Sequence, residues 1–427
     1  MSKYKLILKD YCAVKSAEVQ IDGITVLTGV NGCGKSTISR WFYYIAKASV
    51  DYVTHFEKEA IDSIDYLLSD MRYLAQSLRL SILQDLTLFQ NVSETGKRKV
   101  LNKDIMYDLI NRYIESVERN IKEENSFGAK KAKLTDAFRI DNIESDDIDV
   151  FMNALSEQIK KRYDGIISEL HSRVNNRTAE NFNKVLSALS GRNGDQLPEE
   201  ISFYEDDENI IDNKGVRTLF DIRNTIYYQT DWFSFPSDTE KELKTVVGTM
   251  PKEAGVIEEY IQKLIGGDVY LKKNEPALLE TELFRYKMSN GKEIPLRKAA
   301  LGIKSLGELL ILLRNGHLKR GTLFIIDEPE VHLHPQWIVE YAKIMVMLNK
   351  ILDVKILISS HNPDMVAAIQ SIAMKEETIS ATRFYYADTD KQSPDLFVFN
   401  DLGESIEQIF GSFNIAFKKM EEYGNEE

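Results

Sequence analysis

The sequence predicts an α/β fold whose sheet draws strands from both ends of the chain, with a mostly helical segment inserted between them. Three observations lead there. A β-rich run, Ile24-Thr25-Val26-Leu27, enters a glycine-rich loop and then a helical apolar pattern. Between about 49 and 215 apolar residues recur at helical spacing, and no proline occurs before Pro198. Beyond 216, short apolar runs such as Leu323-Phe324-Ile325-Ile326 and Lys355-Ile356-Leu357-Ile358 alternate with helical patterns. Unbroken β runs of that kind suit the centre of a parallel sheet covered on both faces.

Taken in order, residues 1–48 read as three strands, a loop and a helix. Lys5–Leu8 and Glu18–Ile21 are extended, and Ile38, Trp41, Phe42 and Ile45 start a helix near Ser36. Residues 49–215 carry two apolar stripes, one on Met106, Ile110, Tyr113, Val117 and Ile121, the other running from Phe151 through Tyr163 to Val174. Steps of three and four without strict heptads predict a compact helical insertion rather than a long rod. Residues 216–427 return to strands and helices. Thr225–Tyr228 is strand-like, Ser289-Asn290-Gly291 turns a hairpin between Phe284–Met288 and Lys292–Leu296, and Phe384–Tyr386 pairs with Leu396–Phe399. A helix over Ser405–Tyr423 closes the reading.

Composition narrows the function classes. Hydrophobic residues make up 43% and charged residues 28% of the 427, enough apolar content for a sizeable core. Two cysteines, Cys12 and Cys33, make neither a disulfide framework nor a Cys-x-x-Cys metal pair. With no signal-peptide pattern and no run long enough to span a bilayer, a reducing cytoplasm is the expectation. The formal net charge of −13 is the wrong sign for gripping duplex DNA over a wide face. The basic runs Lys97-Arg98-Lys99, Lys130-Lys131-Ala132-Lys133 and Lys160-Lys161-Arg162 read as solvated helix faces and loop ends, and Glu205-Asp206-Asp207-Glu208 as a solvated loop.

Four motifs carry chemistry. Gly29-Val30-Asn31-Gly32-Cys33-Gly34-Lys35-Ser36-Thr37 has the G-x-x-x-x-G-K-S spacing of a phosphate-binding loop, with a strand before and a helix after. Glycines let backbone N–H groups wrap a phosphate, the helix end adds its positive dipole, Lys35 places charge on the β- and γ-phosphates, and Ser36 supplies a Mg²⁺ ligand. The ligands implied are ATP and Mg²⁺. Second, the strand ending in Asp327-Glu328 provides a carboxylate for the Mg²⁺ shell and one, Glu328, to activate water as general base. Third, Ile358-Ser359-Ser360-His361 is another β run, and His361 can donate a hydrogen bond to the γ-phosphate. Fourth, Ala300-Leu301-Gly302-Ile303-Lys304-Ser305 is a glycine turn into an apolar helix, another anion-binding end.

Together these motifs resemble ABC-type ATPases of the SMC–RecF kind, over about 1–48 and 216–427. Asn31 to Ser36 is similar to that family's N-G-x-G-K-S. Asp327-Glu328-Pro329-Glu330-Val331-His332-Leu333-His334-Pro335 resembles the extended Walker B and D-loop of the OLD-like, stand-alone branch, which includes ATPase subunits of phage-defence systems such as Septu and PARIS. The resemblance implies a P-loop ABC-type ATPase domain split by the helical insertion, and a homodimer or higher even oligomer built head to tail. Gly302, Lys304 and Ser305 of one copy then close over ATP held by the other, His361 is the switch histidine, and Gln229 is the glutamine of the Q-loop, a further Mg²⁺ ligand. Two departures stand out. Ala300 replaces the usual signature serine, which suggests slow turnover. About 65 residues follow His361, too few for the Toprim nuclease of OLD enzymes. The function expected is an ATPase that gates a separate effector, a nuclease, in bacterial anti-phage defence. The alternative is a DNA-repair or chromosome-associated ATPase that binds DNA directly. His332 and His334 read as D-loop residues rather than a metal pair.

Overall fold

The computed structural model describes residues 2–80, 82, 85–86, 98–124, 127–138, 147–190, 198–212, 215–229, 243–272, 284–331 and 333–411. They fall into two compact units, Met1–Val50 with Phe182–Glu427, and Asp51–Asn181.

The first unit is built on a sheet. β1 (Tyr4–Tyr11) and β2 (Val14–Ile21) alternate buried and open positions and pair antiparallel, Tyr4 opposite Ile21. β3 (Ile24–Thr28) is buried at every residue and delivers the chain to the glycine loop. The helix α1 (Lys35–Ser77) follows. Further along come β4 (Ile201–Glu205), β5 (Glu208–Asn209), the small pair β6 (Ile211–Asp212) and β7 (Gly215–Val216), and β8 (Asn224–Gln229). α6 (Gly255–Ile265) leads into β9 (Gly267–Leu271), which with β10 (Phe284–Met288) and β11 (Glu293–Pro295) forms a separate antiparallel sheet that contains the expected hairpin. β12 (Thr322–Asp327), β13 (Lys355–Ser359), β14 (Thr382–Thr389) and β15 (Phe397–Gly403) complete the set.

Among the described residues the large sheet has the order β5-β4-β1-β2-β15-β14-β3-β13-β12-β8. The block β14-β3-β13-β12-β8 is parallel throughout. β3, β12 and β13 are buried at every position, as unbroken apolar strands covered on both faces require. Because these strands run in one direction, the residues that follow them share one edge, where open parallel sheets place ligands.

The second unit is helical. α1 contributes its residues from Asp51 onward. α2 (Lys103–Glu124), α3 (Phe127–Phe138) and α4 (Ile148–Asn175) complete its packing, and α5 (Ala179–Ser190) leads back toward the first unit. Both expected stripes are found: Met106, Ile110, Tyr113, Val117 and Ile121 on α2, and Phe151, Leu155, Ile159 and Tyr163 on α4, are buried in one cluster, and Leu170 further along α4 is buried as well. Asp147 caps α4, its carboxylate accepting from the Asp149 N–H at 2.9 Å.

Several expectations shift. α1 runs unbroken past residue 48, because Tyr52, Phe56, Ala60, Ile64, Leu67 and Met71 continue a buried stripe with no glycine or proline to stop it. β4 had been assigned to the insertion, yet it pairs with β1 in the first unit's sheet. The acidic run is not wholly solvated: Glu205 is buried and accepts hydrogen bonds from Tyr4 Oη and the Phe220 and Asp221 N–H groups. Lys130 is buried too, donating to Asn120 Oδ1 and Glu124. The expected helix Ser405–Tyr423 lies mostly outside the described residues, as do Lys97 and His332.

Candidate nucleotide site

The loop between β3 and α1 takes its shape from glycines. Gly29, Gly32 and Gly34 have φ of 145°, 81° and 97°, values that side chains rarely adopt. Space is short as well: a Cβ on Gly34 would lie 2.6 Å from Val14 Cγ2, and one on Gly29 would lie 2.8 Å from Ala387 Cβ. Cys33 is buried under the loop, and burial pushes its thiol up. Lys35 Nζ donates to the carbonyls of Gly29 and Val30, both at 3.0 Å, so the ammonium is held inside the curve of the loop. Ser36 and Thr37 occupy the first turn of α1, half-buried, while Asn31 and Gly32 are exposed.

Beside this loop the ends of the parallel strands converge. The register sets Leu27, Ser359, Asp327 and Gln229 side by side on β3, β13, β12 and β8. Ser39 on α1 and Ser359 share a hydrogen bond of 2.7 Å between hydroxyls. The Ser360 N–H donates to Leu27 O, and the Glu328 N–H donates to Ser359 O, both at 2.9 Å. Asp327 is 4% exposed. Its Oδ2 accepts from Tyr227 Oη at 3.0 Å, whereas its Oδ1 is buried with no protein partner. The Tyr227 hydroxyl is pushed well up, by burial first and by the Asp327 charge second.

Glu328 departs from strand geometry with φ of 51°, an uncommon conformation for a side-chain-bearing residue that costs on the order of 1 kcal/mol. The turn leaves its carboxylate half-exposed beside His361, whose Nδ1 is 3.3 Å from Glu328 Oε1 and 3.4 Å from Glu330 Oε1. These are ion-pair contacts without hydrogen-bond alignment. Glu330 Oε1 also accepts from the Ser360 hydroxyl at 2.7 Å and from the His361 N–H at 3.0 Å. Burial pushes the Glu330 carboxyl up, and those donors oppose the shift.

The fourth motif takes a different form from the one expected. Gly302 does not make a turn; it lies within α7 (Leu301–Arg314), which starts directly after the extended Ala300. Its missing side chain makes room for an indole, since a Cβ there would be 2.9 Å from the Trp337 ring. Ala300 provides no side-chain cap for α7, so its first amides have no side-chain acceptor from the N-cap. Lys304 is buried beside Glu308, and burial lowers its pKa. Glu308 is buried as well, accepting from Tyr228 Oη at 2.6 Å, with Ser305 next to that hydroxyl. Burial pushes the Glu308 carboxyl up to about 7, against the pull of Tyr228 and Lys304.

A triphosphate with Mg²⁺ fits what these residues offer. Positive-φ glycines curve the loop around the Lys35 ammonium, and Asp327 Oδ1 is a buried anionic oxygen lacking a partner. No cluster of three or more His, Cys, Asp or Glu suited to a metal occurs among the described residues. His334 caps α8 (Pro335–Leu352), its Nδ1 accepting from the Gln336 N–H. Gln229 ends β8, exposed and in register with Asp327. Sequence reasoning overlooked Tyr227 and underused Glu330. The signal for Tyr227 was present: two residues before Gln229 on one strand, it had to share that residue's face.

The fold and site define a P-loop ATPase in which strands from both ends of the chain assemble one nucleotide-binding edge. Residues 24–367 match the family model described as "AAA domain, putative AbiEii toxin, Type IV TA system", and the chain belongs to that AAA-type ATPase family. No curated relative matches it by sequence. Among solved structures it is similar to an Smc head domain with a coiled coil and joint from Pyrococcus yayanosii, at 12% identity over 97% of this chain and 100% of that one, TM-score 0.38. It is similar also to an Smc head with an extended coiled coil, bound to the C-terminal domain of ScpA, from Pyrococcus furiosus, at 13% identity over 100% of both chains, TM-score 0.34. An SMC head from Thermotoga maritima follows at 11% identity over 48% of this chain and 65% of that one, TM-score 0.30. With TM-scores this low, nothing about this chain is concluded from them. No described helix is long and apolar enough to cross a membrane.

Proposed function

We propose that the protein is an ATP-hydrolysing switch that closes head to tail with a second copy around ATP and gates a separate effector. One observation carries the hydrolytic part: Lys35, the partnerless oxygen of Asp327, and the Glu328–His361 pair all stand at the loop and strand ends of one sheet edge. Lys35 exchanges the carbonyls of Gly29 and Val30 for phosphate oxygens, while the loop amides and the start of α1 bind the rest of the phosphate chain. Ser36 and Asp327, with Gln229 nearby, would hold Mg²⁺, and a bound Mg²⁺ would supply charge neutralisation to the phosphates. Glu328 orients water as general base, and His361 Nε2 donates to the γ-phosphate.

The dimer follows from what a single copy leaves open. The start of α7 presents amides that no side chain of Ala300 caps, and Leu301 beside them is exposed, as is Val30 in the phosphate loop. A second copy's ATP supplies an acceptor for those amides, and closure covers both apolar side chains. Gly302 lies in that first turn, while Ser305, beside the buried Tyr228 hydroxyl, and Lys304 are set back behind it. The lack of a hydroxyl at Ala300 makes turnover slow. The resemblance to phage-defence ATPase subunits favours a nuclease effector, while the family's description, "putative AbiEii toxin, Type IV TA system", names none.

Glu328→Gln tests this reading. We expect kcat to fall by about 10²–10⁴-fold, while ATP and Mg²⁺ convert the variant from monomer to dimer by light scattering. Lys35→Ala, which removes the phosphate charge, blocks the ATP-induced dimer. A Glu328→Gln protein that stays monomeric with ATP would refute the head-to-tail arrangement.

A further inference from the structure

Glu330 has no role in the reaction as set out above, yet it is nearly as deeply placed as Asp327, at 5% exposed. Every partner it has lies on one oxygen. Ser360 Oγ and the His361 N–H donate to Oε1, and His361 Nδ1 stands 3.4 Å from the same atom. Oε2 is buried with no partner. That is an expensive way to keep a carboxylate, because a buried unpaired oxygen forfeits its hydration. Neither hydrogen bond demands the charge, since a glutamine oxygen accepts both. What only a carboxylate adds is negative charge facing Nδ1.

The imidazole sits between two such charges at almost equal distance, 3.3 Å to Glu328 and 3.4 Å to Glu330, aligned with neither. A small rotation of the ring therefore selects its acceptor. If Nδ1–H bonds Glu328, the base is occupied. If it bonds Glu330, Glu328 is released to hold water. For Nε2 to donate to phosphate at the same time, the ring must carry protons on both nitrogens, a form that an anionic neighbour favours and a neutral amide does not.

We infer that Glu330 is a positioning residue for hydrolysis: it anchors the His361 backbone, accepts the Nδ1–H, and thereby frees Glu328 to act as base. The inference rests on the hydrolytic reading above. It assigns no substrate contact to Glu330.

The test is a double-mutant cycle with a spectroscopic readout. Glu330→Gln keeps both hydrogen-bond acceptances and removes the charge. We expect kcat to drop about tenfold with KM for ATP within about twofold and an unchanged urea midpoint. In a His361→Ala background the same substitution should have no further effect, because the two residues act as a unit. In parallel, ¹⁵N-histidine spectra should show His361 Nδ1 protonated in the wild-type protein and a shift toward Nε2 protonation in Glu330→Gln. Wild-type kcat in Glu330→Gln, or losses that multiply in the double variant, overturn the inference. Should the wild-type protein fail to hydrolyse ATP, the hydrolytic reading falls, and the ring-nitrogen spectra alone decide whether Glu330 holds the histidine.

Discussion

Glu308 shows what one buried side chain can impose on stability. Its carboxyl is pushed from an ordinary value of 4.5 to about 7, so the folded chain holds a proton that the unfolded chain has released across that window. The stabilisation is complete below about pH 4.5 and is lost as pH rises through about 7, a swing of roughly 3 kcal/mol. Glu308→Gln does not titrate and keeps an acceptor for Tyr228 Oη. Urea unfolding at about pH 5 and pH 8 should show the wild-type protein losing more stability than the variant, by roughly 2–3 kcal/mol. Equal losses would mean that the carboxyl ionises freely inside the fold.

At the scale of elements, the contact between α7 and α8 turns on Gly302 and Trp337. Alanine is the better helix former by about 1 kcal/mol, which on propensity alone makes Gly302→Ala stabilising. The added methyl, though, meets the indole at 2.9 Å, and overpacking of that kind costs about 1–3 kcal/mol. The clash outweighs the propensity. We expect a lower urea midpoint, altered tryptophan emission and weaker ATP-induced dimerisation, because the displaced ring lies under the start of α7. A stabilised variant with unchanged emission would show that the indole moves freely. β8 is the second element of interest. Its consecutive tyrosines reach opposite faces, Tyr227 to Asp327 and Tyr228 to Glu308, so one strand touches both the Asp327 carboxylate and the helix that begins at Leu301.

At the scale of the molecule, charge separates the two functions considered from sequence. The net charge is −13, and one cation of each basic run is paired within its own unit: Arg98 with Glu57, Lys130 with Glu124, Arg162 with Asp70. Phosphate neutralisation requires free cations on a common face. Fluorescence anisotropy with duplex DNA should therefore show no tight binding at about 50 mM salt and no steep weakening toward 200 mM. Salt-sensitive binding with a slope of several ions would instead favour a DNA-clamping ATPase over an effector switch.

The sequence by itself determined the central strands, the phosphate loop and the helical stripes. Each of these rests on local chemistry: glycines that allow positive φ, runs of β-branched and aromatic residues, apolar spacing of three and four. It also placed Asp327, Glu328 and His361 correctly at strand ends, since a β run followed by polar residues marks where a parallel strand emerges. The continuation of α1 to Ser77 was equally legible, in a stripe with nothing to break it. What only the tertiary structure decided is the pairing of side chains distant in sequence. Tyr227 meets Asp327 because β8 and β12 are neighbours in register, and Glu330 meets His361 because a turn with a positive φ at Glu328 folds back onto β13. Gly302 read as a turn, for glycine commonly makes one, and only the indole of Trp337 against it shows that the reason is space. Burial likewise overrode composition at Glu205 and Lys130: a charged residue looks solvated until the fold brings it a partner or covers it. It also covered Lys304, expected to close over the other copy's ATP, beside Glu308.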